Sequence, residues 1–213
     1  MKNCLKVVAL SAVMSVFFSI PAFASSAQPQ DTVNNRPPVE SYKDGRLYLD
    51  GIPVLTDQYL QEVDAKNAVP TYVPKANQSG IGPYGVNSWT KVAEANQYSG
   101  HDWDRYTNSG ASSVERTLST TSKFTISISG ETKFGFKDFV EVKLAGSVGQ
   151  EFTKSKTEKY TIPAGWIYEQ KSAIKVLQED YRYTDTGIFW DTQYNASSFD
   201  YRGLETWLWS NPI

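Results

Sequence analysis

The chain has 213 residues, with 21 Lys and Arg against 23 Asp and Glu and a formal charge of −2. That balance excludes a basic nucleic-acid footprint and a polybasic lipid patch. A single cysteine excludes a disulfide framework, so any exported form relies on its packed core.

Met1–Ala24 reads as a signal peptide. Lys2 and Lys6 supply a positive start, Leu5–Ile20 is largely apolar, and Pro21-Ala22-Phe23-Ala24 ends in a small-x-small cleavage signal at Ala24. A membrane anchor is the other reading, but sixteen apolar residues are short for a span, and no stop-transfer pattern follows. The expected location is therefore secreted. Removing residues 1–24 takes away two lysines and no acid, which moves the charge from −2 to −4, and it also removes Cys4. Such a charge gives no steering towards anionic lipid.

Residues 25–38 are rich in Ser, Gln, Asn and Pro and read as a disordered leader, either a spacer or a propeptide. Residues 39–113 read as an irregular and β region with aromatic residues. Arg46–Leu49, flanked by the turn dipeptides Asp44-Gly45 and Asp50-Gly51, predicts a small hairpin with Ile52–Leu55. Asp57 predicts a capped short helix through Ala65, with Tyr59, Leu60 and Val63 on one side. The stretch from Val69 to Gly85 is expected to be mostly irregular. The only histidine stands in His101-Asp102-Trp103-Asp104. One histidine with two nearby acids and no second His or Cys makes a poor metal set, and a surface loop anchored by Trp103 is the plainer expectation. No nucleophile elbow, zincin or phosphate-loop motif is present. We expect no catalytic residues, no metal and no cofactor, and no enzyme activity. A carboxylate-pair glycosidase stays open, because Asp and Glu are plentiful, but nothing selects a pair.

From Val114 to Ile162 the chain keeps one register. Even positions are apolar, including Phe124, Ile126, Ile128, Phe134, Phe136, Val140, Val142, Leu144, Val148 and Phe152; odd positions are mostly Ser, Thr, Lys and Glu. Period two predicts strands with one apolar face. A three-residue tip, Lys137-Asp138-Phe139, pairs Phe136 with Val140, Phe134 with Val142, Ile128 with Val148 and Phe124 with Phe152, and keeps even residues on one face. Each thirteen-residue arm spans about 43 Å at ~3.3 Å per residue, enough to cross a bilayer. The register sets Lys133 against Lys143, with Glu131 and Glu141 on the diagonals.

Ile167–Tyr183 reads as another strand. Residues 184–213 are aromatic and are expected to pack on the N-terminal region. Trp190, Trp207 and Trp209 are candidate ligand or receptor aromatics, although a small core is the commoner use of such a cluster.

Ser113–Val176 resembles the pore-forming region of aerolysin-like β-pore-forming toxins, in the branch of epsilon toxin and the mosquitocidal toxins. Three features carry the resemblance: Ser/Thr-rich strands at 117–125 and 153–157, the amphipathic hairpin between them, and the exit Tyr160-Thr161-Ile162-Pro163-Ala164-Gly165 into a further strand. It covers about sixty residues, and the flanks match no receptor-binding domain. The resemblance implies an elongated, mainly antiparallel β fold with little helix. It also implies a homo-oligomer in which each chain donates its hairpin to one barrel, the even residues 124–152 facing lipid and the Lys137–Phe139 tip leading. The partner would be a target membrane or a glycan or protein receptor. The expected function is thus a secreted pore-forming protein of toxin type. The competing expectation is a secreted, non-enzymatic binding or cell-surface protein using the same scaffold without forming pores; a one-faced Ser/Thr sheet stands well in solvent.

Overall fold

The structure is a computed structural model and describes residues 29–74, 88–130, 134–144, 146–187 and 189–213. The expected signal peptide with its Ala24 site, and the charges Glu131 and Lys133, lie outside the described residues.

The fold is mainly β and antiparallel, with two helices among the described residues. In chain order the strands are β1 (Thr32–Asn34), β2 (Glu40–Lys43), β3 (Arg46–Leu49), β4 (Ile52–Pro53), β5 (Thr71–Pro74), β6 (Trp89–Asn108), β7 (Val114–Thr125), β8 (Ser127–Gly130), β9 (Glu151–Ile162), β10 (Trp166–Thr186) and β11 (Trp190–Pro212). Helix α1 is Asp57–Asn67 and α2 is Phe136–Lys143.

Three long strands set the shape. β10 pairs antiparallel with β6 on one side and with β11 on the other. At ~3.3 Å per residue, the 21 residues of β10 extend about 70 Å, so the molecule is elongated. Residues 184–213, expected as an aromatic annexe, supply β11, which runs along the whole of β10. The far edge of β11 is covered in pieces: β1 in parallel at Glu205–Trp207, β8 at Ala196–Phe199 and β5 at Trp190–Gln193.

Two expectations are corrected here. His101–Asp104 is not a loop but lies inside β6, with Asp102 opposite Ser172. Trp103 is 54% exposed and anchors nothing. Polar residues on both faces hid this strand; its carboxylates have structural work to do, described below. The leader also contains a strand. β1 and the preceding Asp31 dock on β11 and β10 because polar side chains find partners there: Asp31 Oδ1 accepts from Leu204 N at 2.8 Å, Lys175 Nζ of β10 donates to Thr32 Oγ1 at 2.7 Å, and Asn34 Nδ2 donates to Glu205 Oε1 at 2.6 Å.

The expected hairpin forms as β3–β4, and β2 adds a third strand across the Asp44-Gly45 turn, with Asp44 and Asp50 in the left-handed region. Helix α1 also forms, but Thr56 caps it, its side chain accepting from Tyr59 N at 3.2 Å. Trp207 is fully buried under the meander, edge-on to Tyr98 at 5.5 Å, and its Nε1 donates to Asp50 Oδ2 at 2.8 Å. Trp207→Ala should therefore cost about 3–5 kcal/mol, read as a lower urea midpoint.

Asp200 lies buried on β11. Burial pushes its carboxyl above the usual range, over the attraction of Arg202 Nη2 at 3.2 Å. The folded chain then holds this proton more tightly than the unfolded chain. Asp200 stabilises the fold below the unfolded pKa of about 3.9 and loses that contribution as pH rises through the folded value. Asp200→Asn should raise the melting temperature at pH 7, and the gain should vanish towards about pH 4; thermal unfolding at both pH values checks it.

Candidate functional site: an amphipathic segment stored on its own sheet

The amphipathic stretch divides into two flanks and a middle. The flanks, β7 and β9, pair from Val114↔Ile162 to Phe124↔Phe152. This is the register in which Phe124 meets Phe152, and even positions of both strands face inward. Leu118, Thr120, Ser122 and Phe124 are buried against the main sheet. Gln170 Nε2 donates to Thr120 Oγ1 at 2.8 Å and to the Lys156 carbonyl at 2.7 Å, while the Ser122 and Ser172 hydroxyls lie 3.1 Å apart.

The outer edge of β7 is closed by side chains of β6 rather than by a strand. Asp104 Oδ2 accepts from Ser119 N at 2.7 Å, and Asp102 Oδ2 accepts from Thr121 N at 2.6 Å. Carboxylates facing backbone N–H groups form strong, charge-assisted bonds and blunt the edge at Ser119 and Thr121. Gly100, at φ +54°, lets β6 pass this edge: a Cβ there would lie 2.5 Å from the Lys123 carbonyl oxygen.

The middle does not form the expected hairpin. The ladder closes at Ile126, whose N–H reaches the Gln150 carbonyl at 2.9 Å and whose carbonyl accepts from Gly149 N at 2.8 Å. β8 then turns away to pair with β11. Phe134 and Gly135 both adopt left-handed φ, 54° and 65°, and α2 follows. The expected pairs Phe136–Val140 and Phe134–Val142 are therefore absent in this form, and the expected tip Lys137-Asp138-Phe139 lies in the first half of a helix.

The reason is the spacing. Phe136 and Val140 are four apart, which places them on one face of a helix as well as on one face of a strand. Here both are buried, with Phe136 4.5 Å from the ring of Trp89 and 5.5 Å from that of Tyr181. Phe139, three residues after Phe136, adds an edge contact to Tyr181 at 5.3 Å, and Lys143 Nζ lies 4.6 Å over the Phe139 ring. The helix has eight residues and no side-chain N-cap bond. A helix this short is marginal by itself, so burial of Phe136 and Val140, about 1.5–3 kcal/mol each, holds it in place.

Of the ten expected lipid-face residues, eight are covered by the chain's own core. Phe124, Ile126, Phe136 and Val140 are buried; Ile128, Leu144, Val148 and Phe152 are half-buried, Phe152 stacking on Tyr201 at 4.4 Å. Val142 is 71% exposed and Phe134 42% exposed, although Phe134 stacks on Tyr183 at 4.3 Å. In the helix Val142 faces away from Phe136 and Val140; a strand at these positions would put all three on one face.

The three candidate tryptophans do not form one site. Trp207 is core, Trp209 is half-buried, and Trp190 is 57% exposed at the other end of β11, about 56 Å away at ~3.3 Å per residue. Beside Trp190 lie Phe189 and, on β5, Tyr72, all exposed. The described residues contain no group of three or more His, Cys, Asp or Glu side chains placed to hold a metal. No helix among them is long and apolar enough to cross a membrane, which leaves strands untested.

This geometry defines a class: an elongated antiparallel β protein that stores a register-matched amphipathic segment against its own sheet. No family model and no curated protein matches the chain. Among solved structures it is similar to the parasporin-2 toxin of Bacillus thuringiensis that recognizes cancer cells, with 12% identity, 61% of this chain and 74% of that chain covered, and a TM-score of 0.41. It is also similar to a candidate pore-forming toxin from Bacteroides vulgatus, with 7% identity, 59% and 56% covered, and a TM-score of 0.29.

Proposed function

We propose that this is a secreted β-pore-forming protein of toxin type, in which several copies assemble and extend residues 124–152 as a membrane-crossing hairpin. One observation carries the reading. The flanks β7 and β9 are already paired in the register that the extended hairpin needs, and the middle is folded aside on apolar contacts that strand and helix share. Extension means zippering onward from Phe124 and Phe152 with no change of register. It releases Phe134 from its left-handed conformation, which costs a non-glycine residue about 1–2 kcal/mol.

In lipid every backbone polar group needs an internal partner, so a lone hairpin cannot cross; closed barrels built from several copies can. The even residues would face lipid and the odd Ser, Thr, Lys and Glu the lumen. Lys137-Asp138-Phe139 would become the leading tip. Trp190 and Phe189, both exposed, would be the aromatic group that meets a membrane interface or receptor.

Dye release from liposomes and from whole cells, with and without limited trypsin, tests the reading. Release together with detergent-resistant multimers is the expected result. Silence on every membrane, with a chain that stays monomeric, would leave a static binding scaffold.

A further inference from the structure

The main sheet has two long edges, and they are treated differently. On the β6 side, residues 90–96 are exposed on both faces, and no described strand pairs with their outer edge. On the β11 side, Ala196–Phe199 is covered by β8, which belongs to the stored segment. The two stretches lie at the same height. Ala95 sits opposite Gln178, Phe199 and then Ser127 across the sheet; Ala93 sits opposite Asp180, Ser197 and then Ser129.

We propose that the β11 edge at Ala196–Phe199 is the docking site for the β6 edge, Lys91–Ala95, of a second copy of this chain, and that β8 is the latch that covers it. The proposal rests on the pore reading and adds to it the surface on which copies meet. Extending the hairpin must withdraw β8, so the step that frees the lipid face also opens the assembly edge.

Direction and chemistry both fit. β6 and β11 each run antiparallel to β10, so they run the same way. Rotation about an axis along the strands sets β6 of one copy beside β11 of the next as a parallel pair. That contact is head-to-tail, the kind that closes rings. The receiving stretch, Ala196-Ser197-Ser198-Phe199, is uncharged and mostly small, so it offers backbone groups without a like-charge clash. The incoming charges are matched within their own copy: Lys91 Nζ lies 2.7 Å from Glu94 Oε2 and 3.2 Å from Glu179 Oε1.

The latch is held by polar contacts suited to opening. Asn67 Nδ2, at the end of α1, donates to Ser197 Oγ at 3.0 Å and to Ser129 Oγ at 3.4 Å. Gly130 lets β8 lie this close, since a Cβ there would stand 2.8 Å from the Asn195 carbonyl oxygen.

The test uses the chain from Ser25, which has no cysteine of its own. Ser129 and Ser197 are opposed across the β8–β11 pair, close enough for a disulfide in S129C/S197C. On phosphatidylcholine–cholesterol vesicles and on red-cell membranes, the reduced variant should form multimers and the oxidised one at least tenfold fewer. A93C/S197C should link copies into a ladder on a non-reducing gel. Within one copy these positions stand two strand spacings apart, about 9–10 Å, too far for a disulfide. Amides of Lys91–Ala95 in the unmodified chain should gain exchange protection on assembly. Equal assembly of the oxidised form, or multimers with neither cross-links nor new protection at Lys91–Ala95, would overturn the latch while the pore reading stands. No assembly by the unmodified chain on either membrane would remove the pore reading and the latch together.

Discussion

Val142→Glu should leave the folded protein unchanged and abolish membrane permeabilisation. The two halves of this result come from two environments of one side chain. In the stored form Val142 is 71% exposed on the outer face of α2, so a glutamate there meets water. Surface changes of this kind usually move stability by no more than about 0.5 kcal/mol. In the extended form we propose, the same position would face lipid three residues from the tip, between the interface, where a base costs about 0–1 kcal/mol, and the midplane, where it costs about 2–4, with an acid costing less. Every copy bears that cost, so dye release should fall by about two orders of magnitude or more. Melting temperature and yield measure the first half, and vesicle leakage measures the second. Leakage like that of the unmodified protein would sink the hairpin assignment.

Phe136→Ala should open the stored segment while the long sheet stays folded. Phe136 is fully buried between Trp89 and Tyr181, and truncating a buried phenylalanine costs about 3–5 kcal/mol. Without that ring α2 keeps buried Val140 and the contact of Phe139 with Tyr181, which is little for a helix of eight residues that lacks a side-chain cap bond. β10 and β11 are tied together along 21 residues of ladder and lose only the edge of one core cluster. Hydrogen exchange should therefore rise sharply across residues 136–143 and stay slow in β10 and β11. Loss of protection throughout would mean that α2 is part of the global fold rather than a separable element.

Both predictions depend on a segment whose sequence was legible in one respect and silent in another. The even–odd alternation from Val114 to Ile162 set the β7–β9 pairing and its register, because a side-chain period of two fixes which residues can share a face. The same alternation pointed to a hairpin through 124–152, which this form does not contain. Phe136, Val140, Leu144 and Val148 fall four apart, a spacing that satisfies both periods. The signals that favour the helix are small: Phe139, an apolar residue at an odd position, packs there, while Val142 gains no burial in it. Gly135 before Phe136 marked a left-handed start.

β6 was hidden for another reason. Its polar residues are not repeating surface positions but partners for a neighbour, since Asp102 and Asp104 accept from the β7 backbone. Nothing in the local sequence says where a carboxylate will find an N–H group. The aromatic C-terminus misled in the same way, because Trp207 and Trp190 look alike in sequence and only packing separates core from surface.

By itself, then, the sequence determined the β class, the short β3–β4 hairpin and its turns, helix α1 and the register of the amphipathic ribbon. Each is a local or period-two property, written in neighbouring residues. Tertiary structure decided that the middle of the ribbon is stored as β8 and α2, that β11 spans the molecule, and that its far edge is covered by three distant pieces of chain. Those outcomes depend on which faces meet across the sheet, and burial of Phe136, Val140 and Trp207 selects them among conformations that the local pattern leaves equal.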